Sequence, residues 1–447
     1  MKLTINNVGA ALAAATLALS AFPASAQYLN TEELANLPLG GHSHDLWAEG
    51  DYVYVARGED GVDVINAADK ENPYKVATIR PFPGVPNIDI GDVEVVNGIA
   101  YMANTVPNGS PTPHVGVFMY DVSNPAAPVE VGRIEWGAGA WYHLGANAHN
   151  LHIHENGNTV QAYVASRTSS AVEVFDVTNP AGPLWLSSIY PPLTIYGTIP
   201  GQSHEIFVQG NLCFSSWLGA GFAIHDVSNP AFPVLVAHEN YAGAYTYGVY
   251  PTDDGQHLLT TDAYTGIGLR IWDISTPSNP VLTGSWTSGT GALMHNVVVK
   301  GDYAYLSHFQ DGMHVLDISN KAAPTQLAWF DTDPGSAAYV GNGAYGVFPT
   351  DEAIYVSHST SGLHVLGLVD TVTINSADWF RRTNQLVVEA TSSLAPAATL
   401  TLDGYGTMTY QPGSGTYTIT VAENHKPRSV QVDSDFGGRD TSRVRKR

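Results

Sequence analysis

Residues 269–280 read Leu-Arg-Ile-Trp-Asp-Ile-Ser-Thr-Pro-Ser-Asn-Pro. Apolar residues alternate, an aspartate follows, and a Pro/Ser/Asn turn ends the phrase. The same phrase stands at residues 117–125 (VFMYDVSNP), 172–180 (VEVFDVTNP), 222–230 (FAIHDVSNP) and 313–320 (MHVLDISN). A diverged copy is VDVINAADKENP at 62–73, and a truncated one is LHVLGL at 363–368. Period-two alternation predicts strands. Repetition predicts a stack, because one such unit cannot bury its own apolar face. In each turn the Asp or Ser/Thr side chain can accept backbone N–H groups, while Pro fixes φ and removes a donor. These aspartates are therefore expected to be structural.

Upstream of each copy lies a second signature, His-x-apolar-x-apolar-x-Gly, leading into a Tyr/Val-rich strand. It occurs at residues 44–50, 204–210 and 295–301, and in a longer form at 149–157. Asp takes the first place at 92, and Tyr does at 247 and 345. Seven starts, spaced 43 to 57 residues apart, each introduce a first strand, a second strand, the aspartate strand and an outer strand. Outer strands are expected at 129–134, 184–189, 234–237 and 281–286. Four short strands per unit predict an all-β chain, a seven-bladed β-propeller over residues 27–375. The seventh unit lacks the Asp-Asn-Pro turn. Its outer strand is expected from residues 370–374 or from 28–40, the latter clasping the ring shut.

The repeat resembles the LVIVD-repeat family, on the pattern in Leu269-Arg270-Ile271-Trp272-Asp273 and its copies between residues 41 and 368. The resemblance implies a secreted or surface β-propeller and no particular chemistry. From residue 376 to 447 the pattern changes to short strands split by Gly, Pro and Ser. They are expected at 386–391, 399–402, 406–410, 415–421 and 429–432. This predicts a small β-sandwich, similar to the immunoglobulin-like modules of secreted bacterial proteins. The closing Arg443, Arg445, Lys446 and Arg447 are expected to be solvated.

Residues 1–26 have the form of a signal peptide: Lys2, an apolar run over 8–21, and Ala24-Ser25-Ala26 as a cleavage site. The expected location is exported, periplasmic or secreted, with no transmembrane segment after cleavage. Cys213 is the single cysteine, so no intramolecular disulfide is possible and burial must hold the fold. Within its strand-like run it is expected to be a small buried apolar residue. The chain carries 19 basic and 41 acidic residues, a net charge of −22. That balance argues against a nucleic-acid groove and an anionic membrane surface. No phosphate-cradling loop, nucleophile elbow or His-Glu-x-x-His motif is present.

Repeat register brings the seven starts to one mouth: His44, Asp92, His149, His204, Tyr247, His295 and Tyr345. The second-strand ends Arg57, Asn104, Arg167, Trp217, Asp262, His308 and His358 are expected on the same face, with His42 and His143 nearby. Three chemistries fit these residue types. His44, His149, His204 and His295 are candidate ligands for Zn, Cu, Fe or Ni. His149, His204, His295, Tyr247 and Arg167 are candidate acid, base and carboxylate-clamping groups. That set resembles, in residue types alone, polysaccharide lyases built on seven-bladed propellers; a metal-dependent hydrolase is the related alternative. Arg57, Asp92, Trp217, Asp262, His308, Tyr345 and His358 are candidate contacts for a bound small molecule, glycan or extracellular protein. Against all three stands an inert interaction scaffold, in which the histidines serve their own blades. In tryptophan–aspartate repeat propellers such a His bonds a second-strand Ser/Thr and a turn Asp, implying His295–Ser307–Asp311, His204–Ser215 and His44–Asp60. His152 and His154 have chelating spacing but are expected on an exposed strand face. His225, His314 and His364 are expected to pack within their strands.

Overall fold

The structure is a computed structural model, and it describes residues 28–81, 88–105, 114–136, 148–166, 171–190, 202–264, 266–334 and 342–447. The expected signal peptide at 1–26, His143 and Arg167 lie outside the described residues. No helix occurs among those described, so none is long and apolar enough to cross a membrane.

Among the described residues there are seven antiparallel repeat sheets, six built on consecutive strands and the seventh taking its outer strand from residues 31–37. Their first strands are Leu46–Glu49, Ile90–Val96, Ala148–Asn156, Ile206–Gln209, Thr246–Pro251, Val297–Lys300 and Ala344–Pro349. Each first strand lies against that of the next sheet, and the seventh returns to the first, so the sheets close a ring. The outer strands include Val129–Trp136, Leu184–Ile189, Val234–Glu239 and Val281–Trp286, on or overlapping the expected spans.

Aspartate-strand side chains point alternately into the interfaces on either side. Val62 and Val64 pack toward sheet two against Val93, Met102 and Phe118. Ile65 packs the other way, with Tyr355 and Val365 of sheet seven. Burial on both faces explains why these strands read as almost continuously apolar. Each fully buried Val, Leu or Ile contributes about 1.5–3 kcal/mol. The turns behave as their chemistry requires. Asp121, Asp226, Asp273 and Asp317 accept the amide of the residue two further on, at 2.8–2.9 Å.

Sheet seven is closed by the N-terminal segment. Thr31–Leu37 pairs antiparallel with Gly362–Leu368. The His364 ring, 2.7 Å from Glu33, and Asn36 add side-chain bonds across that seam. The competing segment at 370–374 instead enters Val372–Phe380, in a five-stranded sheet of the C-terminal region. A four-stranded sheet built around Leu400–Leu402 and Ser429–Ser434 packs with it over Trp379, Leu386, Val388, Leu400, Tyr417 and Val432. The basic tail is not simply solvated. Arg445–Lys446 pairs with Asp378 and Trp379, and Arg445 and Arg447 both donate to Asp378.

Candidate functional site

Four mouth residues are set by a hydroxyl of the preceding sheet. Ser216 donates to the Tyr247 carbonyl at 2.6 Å and Thr261 to that of His295 at 2.5 Å. Ser307 donates to the Tyr345 carbonyl, and Ser357 to that of His44. The last of these bonds spans the ring closure. The same hydroxyls receive the amides of Glu205, Gly248, Asn296 and Gly346 in their own sheets. One side chain thus fixes two adjacent sheets at the point where the first strand begins.

The rings so held meet in one pocket of about 280 Å³, lined by His44, Asp89, Gly91, Thr105, His149, His204, Tyr247, His295, Phe309 and Tyr345. His204 stacks on Tyr247 with centroids 4.1 Å apart and meets His149 edge-on at 4.5 Å. His295 lies 5.0 Å from Tyr345 and 4.9 Å from Phe309. His42 joins the wall against His44 and Tyr345. Burial and the neighbouring His44 push the His42 imidazole down to about 4.

Sheet two departs from the sequence register by one residue. Gly91 forms the bulge there, as His149 does in sheet three, and Asp92 stands one step deeper. The hairpins explain the slip. In sheet one Gly50 is the first residue of the two-residue turn, whereas in sheet two Asn97 precedes Gly98. Counting back from the glycine therefore lands one position too late.

Below the rings lies a layer of carboxylates and amides that the sequence reading missed, apart from Asp92. Asp45, Asp92, Glu94, Asn150, Glu205 and Asn296 line a second cavity in the channel. Asp45 accepts from the Asn296 side chain at 2.6 Å. Asp92 accepts the amides of Val93 and Leu151, at 2.7 and 2.8 Å. Glu94 accepts the Ile153 amide and lies 3.1 Å from Nδ1 of His152. His152 is thus buried in the channel, not on an exposed face. Gly346 and Gly248 make room: a Cβ at Gly346 would sit 2.3 Å from Asp45, and one at Gly248 2.5 Å from Thr261. Desolvation pushes the Asp45 carboxyl up to about 6. The same cause, reinforced by neighbouring carboxylates, raises Asp92 and Glu205 well above the ordinary range. The signal was available in the residue after each of the four histidine starts: Asp45, Asn150, Glu205 and Asn296.

The second-strand ends turn away from the mouth, into their own sheets. Arg57 is buried on Asp63, and Asp262 on Arg270, each at 2.5 Å. Tyr241 also donates to Asp262. Trp217 is fully buried and donates to Ser215. Asn104 accepts the Asp89 amide. His308 sits with Asp311 and His314, and His358 with His364. The variation at these ends reflects paired choices inside each sheet. The expected structural networks take other partners. His295 donates its Nδ1–H to the Tyr345 carbonyl, Asp311 joins His308 and His314, and His44 lies 3.6 Å from Asp89. Among the described residues, no three of His44, His149, His204 and His295 bring ligand atoms within 4.8 Å of one another.

A protein-family model for the LVIVD repeat matches residues 40–76, 116–135, 200–241, 263–288 and 294–332. The chain carries LVIVD repeats. The matched LVIVD stretches fall on sheets one, two, four, five and six. No curated protein matches the chain. The β-propeller domain of Myceliophteria thermophila Cps50 (Swd1) superposes with a TM-score of 0.53 at 11% identity, covering 75% of this chain and 99% of that one. The computationally designed Ika8 protein gives 0.48 at 9% identity, with the same coverages. The likeness to Cps50 shows a β-propeller fold and nothing of function.

Proposed function

We propose that this LVIVD-repeat chain is an exported seven-bladed β-propeller, with a C-terminal β-sandwich, that binds a small organic cation at its channel mouth. One observation carries the reading. The described lining of the mouth combines the rings of Tyr247, Tyr345, Phe309 and four histidines with the Asp89 carboxylate, and contains neither Lys nor Arg. Aromatic faces attract a cation by about 0.5–2 kcal/mol each once it is desolvated. The net charge of −22 adds long-range attraction of the same sign. The volume suits a molecule of a few heavy atoms.

A uronate lyase is less well supported. It needs a cation on the substrate carboxylate; Arg57 is committed to Asp63, and Arg167, the other candidate clamp, lies outside the described residues. A metal held by His44, His149, His204 and His295 is also less well supported, because their nitrogens do not converge.

The test is calorimetric titration with choline, tetramethylammonium, galacturonate and glucose. Saturable binding of the two ammonium ions is expected, about tenfold weaker in Tyr247→Ala. Binding of galacturonate with no binding of either ammonium ion contradicts the reading.

A further inference from the structure

Behind the mouth wall, sheet six holds a second cluster. His308 ends the second strand, Asp311 lies in the turn, and His314 lies on the third strand. All three are buried. Nδ1 of His308 is 3.1 Å from Oδ2 of Asp311, and Nε2 of His314 is 3.2 Å from the same oxygen.

The hydrogen-bond inventory of the cluster is one cation short. Nε2 of His308 lies 3.1 Å from the Ala292 carbonyl, which can only accept, so Nε2 carries a proton. Nδ1 then faces a carboxylate oxygen at 3.1 Å, an arrangement that a cation held between the two satisfies. Neither Nδ1 of His308 nor either ring nitrogen of His314 has a well-formed hydrogen bond, although all three are buried. Two equivalent sites in the ring lack this conflict. In sheet one the same three positions are Arg57, Asp60 and Asp63, and the guanidinium is the cation. In sheet seven they are His358, Ser361 and His364. There Nδ1 of His358 accepts the amides of Thr360 and Ser361, and the Ser361 hydroxyl bonds His364.

We propose that His308, Asp311 and His314 bind a zinc-class divalent ion through Nδ1, Oδ2 and Nε2. One donor atom from each of the three residues lies within 4.8 Å of the others. Ligands at about 2.0–2.1 Å around a tetrahedral ion stand about 3.3 Å apart, which the two measured spacings nearly match. Two imidazoles with one carboxylate suit Zn(II), and three protein ligands leave one position for water. The second shell is in place. Thr290 donates to the ligating Asp311 oxygen at 2.9 Å, and the Ala292 carbonyl holds the tautomer of His308 that exposes Nδ1. Trp286 and Trp329 flank His314.

The test uses the full chain without a histidine tag, stripped with a chelator and dialysed against zinc alone. Metal content is read by mass spectrometry and the melting temperature is measured with and without zinc. The expected result is about one equivalent of zinc and a raised melting temperature, both lost in His314→Gln and in Asp311→Asn. The double variant His149→Gln/His204→Gln, altered only at the mouth, is expected to keep both. Cobalt added to the stripped protein is expected to give the strong visible bands of a four-coordinate site. Less than roughly 0.1 equivalent of zinc in the wild type, or equal uptake in His314→Gln and Asp311→Asn, overturns the assignment. So does loss of the metal in the mouth double variant alone. Because the cobalt spectrum and the zinc content are both read on wild-type protein, the proposal stays testable if a cluster variant fails to fold.

Discussion

Nη1 of Arg57 lies 2.5 Å from Oδ2 of Asp63, with both side chains 2% exposed. Asp63 also accepts from Thr78 at 2.6 Å and has Lys75 nearby. The pair joins the second strand of sheet one to its third, at a position where the ring also uses Asp262–Arg270. Removing one partner leaves a desolvated charge. Arg57→Leu is therefore expected to lower unfolding free energy by about 3 kcal/mol in urea titrations while leaving ammonium binding unchanged. A loss of ligand binding at unchanged stability would instead return Arg57 to the mouth.

Acidification should act through buried imidazoles. Desolvation pushes His225 down to about 4. The unfolded chain takes up this proton near pH 6.5, and the folded chain only near pH 4. Between those values the unfolded state holds more protons, so stability falls as pH falls. His225→Gln removes this term. Wild type should lose up to roughly 3 kcal/mol relative to the variant between pH 7 and pH 4. Parallel urea midpoints for the two proteins across this range would contradict the assignment.

Cys213 is fully buried, and desolvation raises its thiol far above the ordinary value. A thiol reagent should leave the native protein unmodified at pH 8 and label one site in urea. Rapid native labelling would show that the sheet three–four interface opens.

The N-terminal strap carries a separate expectation. Deleting residues 28–37 uncovers the edge of Gly362–Leu368 and removes the His364–Glu33 contact. An open apolar edge pairs with other chains, so size-exclusion chromatography should show oligomers or aggregates. A monomer of unchanged melting temperature would mean that the strap does not close the ring.

Much of the fold could be read from the phrase at 269–280, because its aspartate turn and alternating strand are local and each copy repeats them. The convergence of His44, His204 and His295 was likewise legible, since a repeat fixes where equivalent residues go. Three features were not legible, each for a physical reason. Gly91 hides behind a hairpin whose glycine is its second residue. The destinations of Arg57, Asp262 and His308 depend on partners six or eight residues away on the next strand, Asp63, Arg270 and His314, and a pattern of single positions does not register such pairs. The carboxylate layer left only the polar residues after the histidine starts as a trace, because its assembly depends on glycines at 248 and 346 leaving room for side chains of other sheets, a packing relation between units.

The central claim is that first-strand starts from separate sheets form one cation-binding mouth. Photolabelling with a benzophenone-bearing trimethylammonium probe, followed by peptide mass spectrometry, tests it most directly. Label is expected on several distant peptides at once, those containing His44, His204, Tyr247, His295 and Tyr345, and excess choline should suppress it. Label confined to one peptide, or to the C-terminal sheets and indifferent to choline, would contradict the account.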